Sequence, residues 1–149
     1  MDKSKVVVVG YGYAGRSFHA YLVGLASQLE LYGVVTSRPE ARAQIQSQLG
    51  VKTFARFEEV LADPAVDLVV LATPNDLHAA QAIQALEAGK HVVTDKPMCL
   101  STAEADAMIG ASLKSGKLLS VFQNRRWDGD FLTVRKVMEE GLLGEVFFI

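Results

Sequence analysis

Cysteine is nearly absent: Cys99 is the one thiol in 149 residues. That excludes an internal disulfide framework and fits a reducing, cytoplasmic setting. No apolar run approaches the roughly 20 residues of a membrane-spanning helix, so no membrane partner is expected. Lys3 and Lys5 precede Val6–Val9, but this run is too short for a signal-peptide core and passes straight into glycines. No His, Cys, Asp and Glu cluster has metal-ligand spacing, so no metal is expected. A formal net charge of −2 without a dense basic patch gives no reason to expect a nucleic-acid partner. Repeats and low-complexity segments are also missing.

What is present is apolar and alternating. Half of the residues are hydrophobic, and the length suits one domain with a full-sized core. Lys5–Val9 reads as a strand buried on both faces. Directly after it comes Gly10-Tyr11-Gly12-Tyr13-Ala14-Gly15. A G-x-G-x-x-G between a buried strand and a helix suits a dinucleotide pyrophosphate. Gly10 permits the tight turn, Gly12 lets the backbone approach the phosphates, and Gly15 lets helix and strand pack closely. A glycine turn that merely joins a strand to a helix is the plainer alternative.

The remaining pattern continues the alternation. A helix is expected from Gly15 to Ser27, a strand over Leu31–Thr36, a helix from Pro39 to Leu49 and a short strand over Val51–Phe54. Then follow a short helix Phe57–Leu61, an apolar strand Asp67–Ala72, a helix from Asp76 to Ala88 and a strand His91–Thr94. Ser101-Thr102-Ala103-Glu104 is a capping box for a helix ending near Ser115, and Leu118–Phe122 is a sixth strand. This implies an α/β fold, a doubly wound parallel Rossmann sheet in the order 3-2-1-4-5-6, over residues 1–122. Residues 123–149 break the pattern. Gln123–Gly129 is polar, charged and aromatic. Asp130–Glu140 is an amphipathic helix with Phe131, Val134, Val137 and Met138 on one side, and Glu145–Ile149 opens a strand. That segment reads as the truncated start of an α+β second domain, and the chain as the amino-terminal part of a longer protein.

Ligands of such sheets lie beyond the carboxyl ends of the strands, and four further segments fall there. An NAD site usually has Asp or Glu about 20 residues past the glycines. Here Thr36, Ser37 and Arg38 stand instead. Their hydroxyls and guanidinium suit a 2′-phosphate, so NADP is expected as the preferred cofactor and NAD as the other. Ala72-Thr73-Pro74-Asn75 ends the fourth strand as a wall for ribose and nicotinamide, or Asn75 or Asp76 simply caps the next helix. His78, one turn on, is either structural or part of that site. Asp95-Lys96-Pro97 ends the fifth strand. Lys96 either hydrogen-bonds a substrate hydroxyl or helps to move its proton, or else forms a structural ion pair. Asn124, Arg126 and Trp127 follow the sixth strand and read as a cofactor or inter-domain seam. Cys99 reads as a small apolar filler.

Taken together, Val9–Gly15, Ala72-Thr73-Pro74-Asn75-Asp76-Leu77-His78, Ala88-Gly89-Lys90-His91-Val92-Val93 and Asp95-Lys96-Pro97 resemble the Gfo/Idh/MocA oxidoreductases. The name comes from glucose–fructose oxidoreductase, inositol dehydrogenase and a rhizopine-catabolism protein. The resemblance spans essentially the whole chain, and Gly141–Val146 is similar to the family's passage into its second domain. It implies an NAD(P)-dependent dehydrogenase or reductase acting on a sugar, polyol or related carbonyl compound. It gives Lys96 the place of the family's active-site lysine, with a bond to Pro97 that is often cis. Asp95 stands where Glu is usual, and Thr36 where many members carry a ribose-binding Asp. The family's second domain, an open antiparallel sheet, would supply further substrate contacts beyond Ile149. A homo-oligomer is expected, and the 149 residues alone are expected to be catalytically silent. The competing reading is a non-catalytic NAD(P)-binding sensor or regulatory module.

Overall fold

Val6, Val7, Val8 and Val9 are all buried because they lie at the middle of a sheet with apolar packing on both faces. The computed structural model describes residues 2–147. Its strands are β1 (Ser4–Val9), β2 (Leu29–Val35), β3 (Lys52–Phe54), β4 (Leu68–Leu71), β5 (His91–Thr94) and β6 (Leu119–Val121). They form one parallel sheet in the order β3-β2-β1-β4-β5-β6. This is the Rossmann order expected from the alternation of strand and helix.

The pleat of β1 sends its side chains to two different cores. Val7 and Val9 join Val69, Leu71 and Val92 on one face. There they meet α3 (Phe57–Leu61), α4 (His78–Glu87) and α5 (Thr102–Ser115) through Phe57, Val60, Ala82, Leu86, Met108 and Ala111. Val6, Val8 and Val70 point the other way and pack on Ala20 and Val23 of the first helical segment. Small residues on α4 allow its backbone to lie close to α5 and the sheet. α2 (Pro39–Leu49) starts on proline and stops at Gly50, as its sequence suggests. Ser101 Oγ accepts from the Glu104 N–H at 3.2 Å, while the Glu104 carboxylate accepts from Leu100 N–H at 2.7 Å. The return bond of the capping box therefore lands one residue earlier than the pattern specifies.

Several expected boundaries change. The first helix does not run to Ser27. It opens with a π-helical turn over Gly15–Ala20, continues as α1 (Tyr21–Leu25), and Ala26 is already extended. The segment from Asp76 begins as a 3₁₀ turn, Asn75–Leu77, before α4, and neither Asn75 nor Asp76 makes a side-chain cap. Pro74 favours extended backbone just before it, which tightens the entry. After β6, a 3₁₀ turn Asn124–Trp127 leads to α6 (Gly129–Glu139). The strand expected at Glu145–Ile149 does not form over residues 145–147, where no described strand pairs with it. Phe148 and Ile149 lie outside the described residues.

The register explains the position of every motif. Phe54, Val35, Val9, Leu71, Thr94 and Val121 are in line across all six strands. One residue beyond that line come Thr36, Gly10, Ala72, Asp95 and Phe122. Main-chain bonds hold this edge: Gly10 N–H to Val35 O at 3.2 Å, Ala72 N–H to Val9 O at 2.8 Å and Asp95 N–H to Leu71 O at 2.9 Å. At about 4.8 Å per strand, Thr36 and Asp95 lie about 14 Å apart.

Candidate dinucleotide site and lysine loop

Gly10 has φ +91°, and a Cβ there would meet the Ala72 carbonyl oxygen at 2.5 Å. A Cβ on Gly15 would run into the Gly10 carbonyl oxygen. Both obstacles are backbone, so neither can rotate away. Gly12 differs: nothing lies within 4 Å of its would-be Cβ. A side chain at Gly12 would project into that open space. This cradle fits a dinucleotide backbone, with two glycines needed for the turn and one for approach.

At the β2 end, Ser37 and Arg38 are exposed, whereas Thr36 is buried. The Thr36 carbonyl accepts from the Arg42 guanidinium at 2.9 Å, which fixes the start of this loop. Tyr11, Arg16, Arg38, Glu40, Gln44 and Ile45 help line a cavity of about 260 Å³ beside the glycine loop. Burial raises the Tyr11 phenol above its ordinary range, and nearby Arg16 partly opposes this. Arg16, next to the third glycine, was not singled out from the sequence. It gives the cavity a second guanidinium, and Glu40 gives it a carboxylate.

At the β4 end, Thr73 Oγ1 donates to Gln81 Oε1 at 2.7 Å, while Pro74 and Asn75 are exposed. His78 is wholly buried. Its Nδ1 lies 2.8 Å from Pro97 O and its Nε2 3.0 Å from Thr73 O. Both ring nitrogens face main-chain carbonyls, so His78 lies between the segment after β4 and the segment after β5.

At the β5 end, the Lys96–Pro97 bond is cis. Asp95 Oδ1 accepts from the Lys96 backbone N–H at 2.8 Å, and Oδ2 lies 3.3 Å from His19 Nε2. The Asp95 carboxylate is thus used by backbone and histidine. Among the described residues the Lys96 ammonium enters no ion pair, and the residue is exposed. The alternative of a structural Asp95–Lys96 pair is therefore replaced by an ammonium left clear at the ligand edge. His19 is buried and packs at a tilt of 58° against the Phe122 ring, with the ring centroids 4.5 Å apart. Sequence reasoning passed over it; its spacing of four from both Gly15 and the buried Val23 was the available signal.

Asn124, Arg126 and Trp127 lie beyond β6, on an open groove of about 640 Å³ whose lining includes Phe18, Leu22 and Phe122. Trp127 is 75 % exposed. Arg125 pairs with Asp128 at 2.8 Å. This turn follows the edge strand β6, four strands along the sheet from β2, after which Arg38 lies. Among the described residues there is no group of three or more His, Cys, Asp or Glu able to hold a metal ion. No helix among them is long and apolar enough to cross a membrane.

Residues 4–123 match the family model GFO_IDH_MocA, the oxidoreductase family with an NAD-binding Rossmann fold. The chain belongs to the Gfo/Idh/MocA oxidoreductase family. It is 42 % identical over 147 residues to the oxidoreductase YdgJ of Escherichia coli K12, covering 99 % of this chain and 42 % of that protein. It is 37 % identical to scyllo-inositol 2-dehydrogenase (NADP(+)) IolW of Bacillus subtilis, covering 98 % and 40 %. The crystal structure of an NAD-binding protein from Listeria innocua superposes with a TM-score of 0.91 at 43 % identity, covering 98 % of this chain and 43 % of that one. This Gfo/Idh/MocA chain thus spans about two-fifths of the length of these relatives.

Proposed function

We propose that residues 1–122 are the NAD(P)-binding domain of a dehydrogenase or reductase that transfers hydride between the cofactor and a sugar, polyol or related carbonyl compound. Residues 123–149 then connect to a substrate domain, and the protein works in the cytoplasm. One observation carries this reading. The Lys96 ammonium stands clear at the carboxyl edge, one strand from the Ala72–Asn75 wall and two from the glycine cradle.

The nicotinamide supplies the hydride chemistry when bound. Gly10–Gly15 would hold the pyrophosphate, and Thr36, Ser37 and Arg38, with Arg16, the adenosine end. Thr73, Pro74 and Asn75 would flank the ribose and nicotinamide, with Asp95 and Pro97 setting the lysine loop. Lys96 bonds the substrate oxygen and holds or moves its proton. NADP is preferred because Thr36, Ser37 and Arg38 offer hydroxyl and guanidinium donors where an NAD site usually carries a carboxylate. The NADP(+) in the name of the Bacillus relative supports this. Asn124, Arg126 and Trp127 would form a seam to the cofactor or the second domain.

Calorimetric titration of the chain with NADP⁺ and NAD⁺ tests the reading. Both are expected to bind, NADP⁺ more tightly. Equal affinities would remove the 2′-phosphate site, and no binding of either would overturn the cofactor assignment.

A further inference from the structure

Two buried histidines reach the loop around Lys96 from opposite faces of the sheet. His19 belongs to the helical segment that begins at Gly15, and its Nε2 approaches Asp95 Oδ2 at 3.3 Å. His78 is the first residue of α4, directly after the Thr73–Asn75 wall, and its Nδ1 approaches Pro97 O at 2.8 Å. Asp95 and Pro97 are the two neighbours of Lys96 in the chain. The backbone of Lys96 is therefore tied on both sides, and Asp95 adds a bond to its own N–H at 2.8 Å.

We propose that His19 and His78 are positioning residues that couple the dinucleotide seat to Lys96. Each histidine sits on an element that starts at a cofactor-binding loop, and each ends on the loop carrying the lysine. A shift of the glycine turn moves His19 and hence Asp95. A shift of the wall moves His78, because Nε2 lies 3.0 Å from Thr73 O, and hence Pro97. Neither route passes through solvent: His19 is 4 % exposed and His78 0 %. Buried hydrogen bonds of this kind resist rearrangement because a buried partner left without its bond has no water to replace it. A neutral imidazole has one N–H, so His78 donates to one carbonyl at a time, and the doubly protonated ring donates to both. The neutral ring therefore bonds one segment and reaches the other only by packing, and only the ring with both N–H groups bonds the two at once. Occupation of the cofactor site then sets the direction of the ammonium before substrate arrives. By reciprocity, the lysine loop contributes to cofactor affinity.

This proposal rests on the assignments of Lys96 and the glycine loop made above, and its test separates the two. Reductive methylation of the chain with ¹³C-formaldehyde gives each lysine an NMR signal, and Lys96→Arg identifies the one from Lys96. Addition of NADP⁺ is expected to move that signal. By length, a Gln amide reaches where His Nε2 lies and an Asn amide where Nδ1 lies. His19→Gln should therefore keep the tie to Asp95 and the response, and His19→Asn should lose both. At His78 neither amide spans both carbonyls: Asn reaches only Pro97 O and Gln only Thr73 O, so both variants should lose the response. Cofactor titrations on all four variants provide the second readout. A merely structural role predicts no difference between Gln and Asn at His19 in the Lys96 response. Variants that bind NADP⁺ and all show the parental response would overturn the coupling. A parental Lys96 signal that stays fixed while NADP⁺ binds would overturn it too, leaving the dinucleotide reading intact. A parent chain that binds no NADP⁺ would remove that reading and the coupling with it.

Discussion

The two faces of the sheet are built from the same strands but are covered very differently. Among the described residues, sixteen buried ones form the core on the α3–α4–α5 face, against five in the core around Ala20 and Val23. On the second face Leu31, Leu68 and Val93 stay only partly buried, and Phe18, Leu22 and Leu25 are exposed. The strands are apolar on both sides, so the difference arises from the covering elements. The lysine loop stands where the two faces meet, receiving His78 from the thick one and His19 from the thin one. The molecule thus separates rigidity from reach. The thick face holds the wall, and the thin one carries the glycine turn and leaves an apolar groove beside Trp127.

The largest expected effect lies at the junction. In the full-length protein, Lys96→Met should lower kcat by about 10²–10⁴-fold, the usual contribution of a positioned acid–base group. Cofactor affinity and Tm should hardly move, because the ammonium enters no ion pair among the described residues. Near-normal turnover would refute the role given to Lys96, and a variant that unfolds would restore a structural one.

Packing sharpens the comparison directly. Leu86→Ala, on the thick face and fully buried, should cost about 2–5 kcal/mol in urea unfolding. Leu22→Ala, on the thin face and 42 % exposed, should cost about 0.5 kcal/mol or less. Equal costs would show the second face to be as well covered as the first.

Next comes the β2 end. Arg38→Ala should weaken NADP⁺ binding by about 1.5–3 kcal/mol, the range of a hydrogen bond to a charged group, and leave NAD⁺ unchanged. Thr36→Asp should reverse the preference by setting a carboxylate against the phosphate. An Arg38→Ala variant with its preference intact would move the selectivity elsewhere in the cavity, with Arg16 the first candidate.

Self-association should follow from the uncovered apolar surface. α6 presents Phe131, Val134 and Met138 to solvent, and no residue on it is buried. Light scattering on the chain should show a dimer or larger species, and a version ending at Phe122 should associate less. A monomeric parent, or a shortened form that associates equally, would exonerate this segment.

The smallest effect is expected in acid. The Asp63 carboxyl is held below its ordinary range by the Lys52 ammonium at 2.6 Å, then by the Ala65 N–H, with Tyr32 contributing less. A lowered folded-state pKa makes its contribution fully present above the unfolded value, about 3.9. The contribution then fades as pH falls through the folded one. Asp63→Asn should remove that part of the acid sensitivity, read as a shallower fall of Tm below about pH 4. An unchanged slope would make the contact incidental.

The sequence alone determined the parallel sheet, its order and the edge on which the motifs gather. Val6–Val9, the glycine spacing and the strand–helix alternation are local signals, and right-handed crossovers leave few ways to assemble them. It also marked Lys96, because a charge at the end of an apolar strand has few places to go. Tertiary structure decided what lies behind these residues. Asp95 bonds to His19, 76 positions away, and His78 spans from Thr73 to Pro97. No periodicity encodes such pairings, because they depend on how two helices on opposite faces lean over one loop. The π-helical turn at Gly15–Ala20 and the 3₁₀ entry to α4 were hidden for the same reason. α4 and α6 show the limit most plainly. Both are amphipathic from sequence, yet α4 buries its apolar face and α6 buries no residue. An amphipathic pattern states that a helix has a face to cover, and only the tertiary arrangement supplies the surface that covers it.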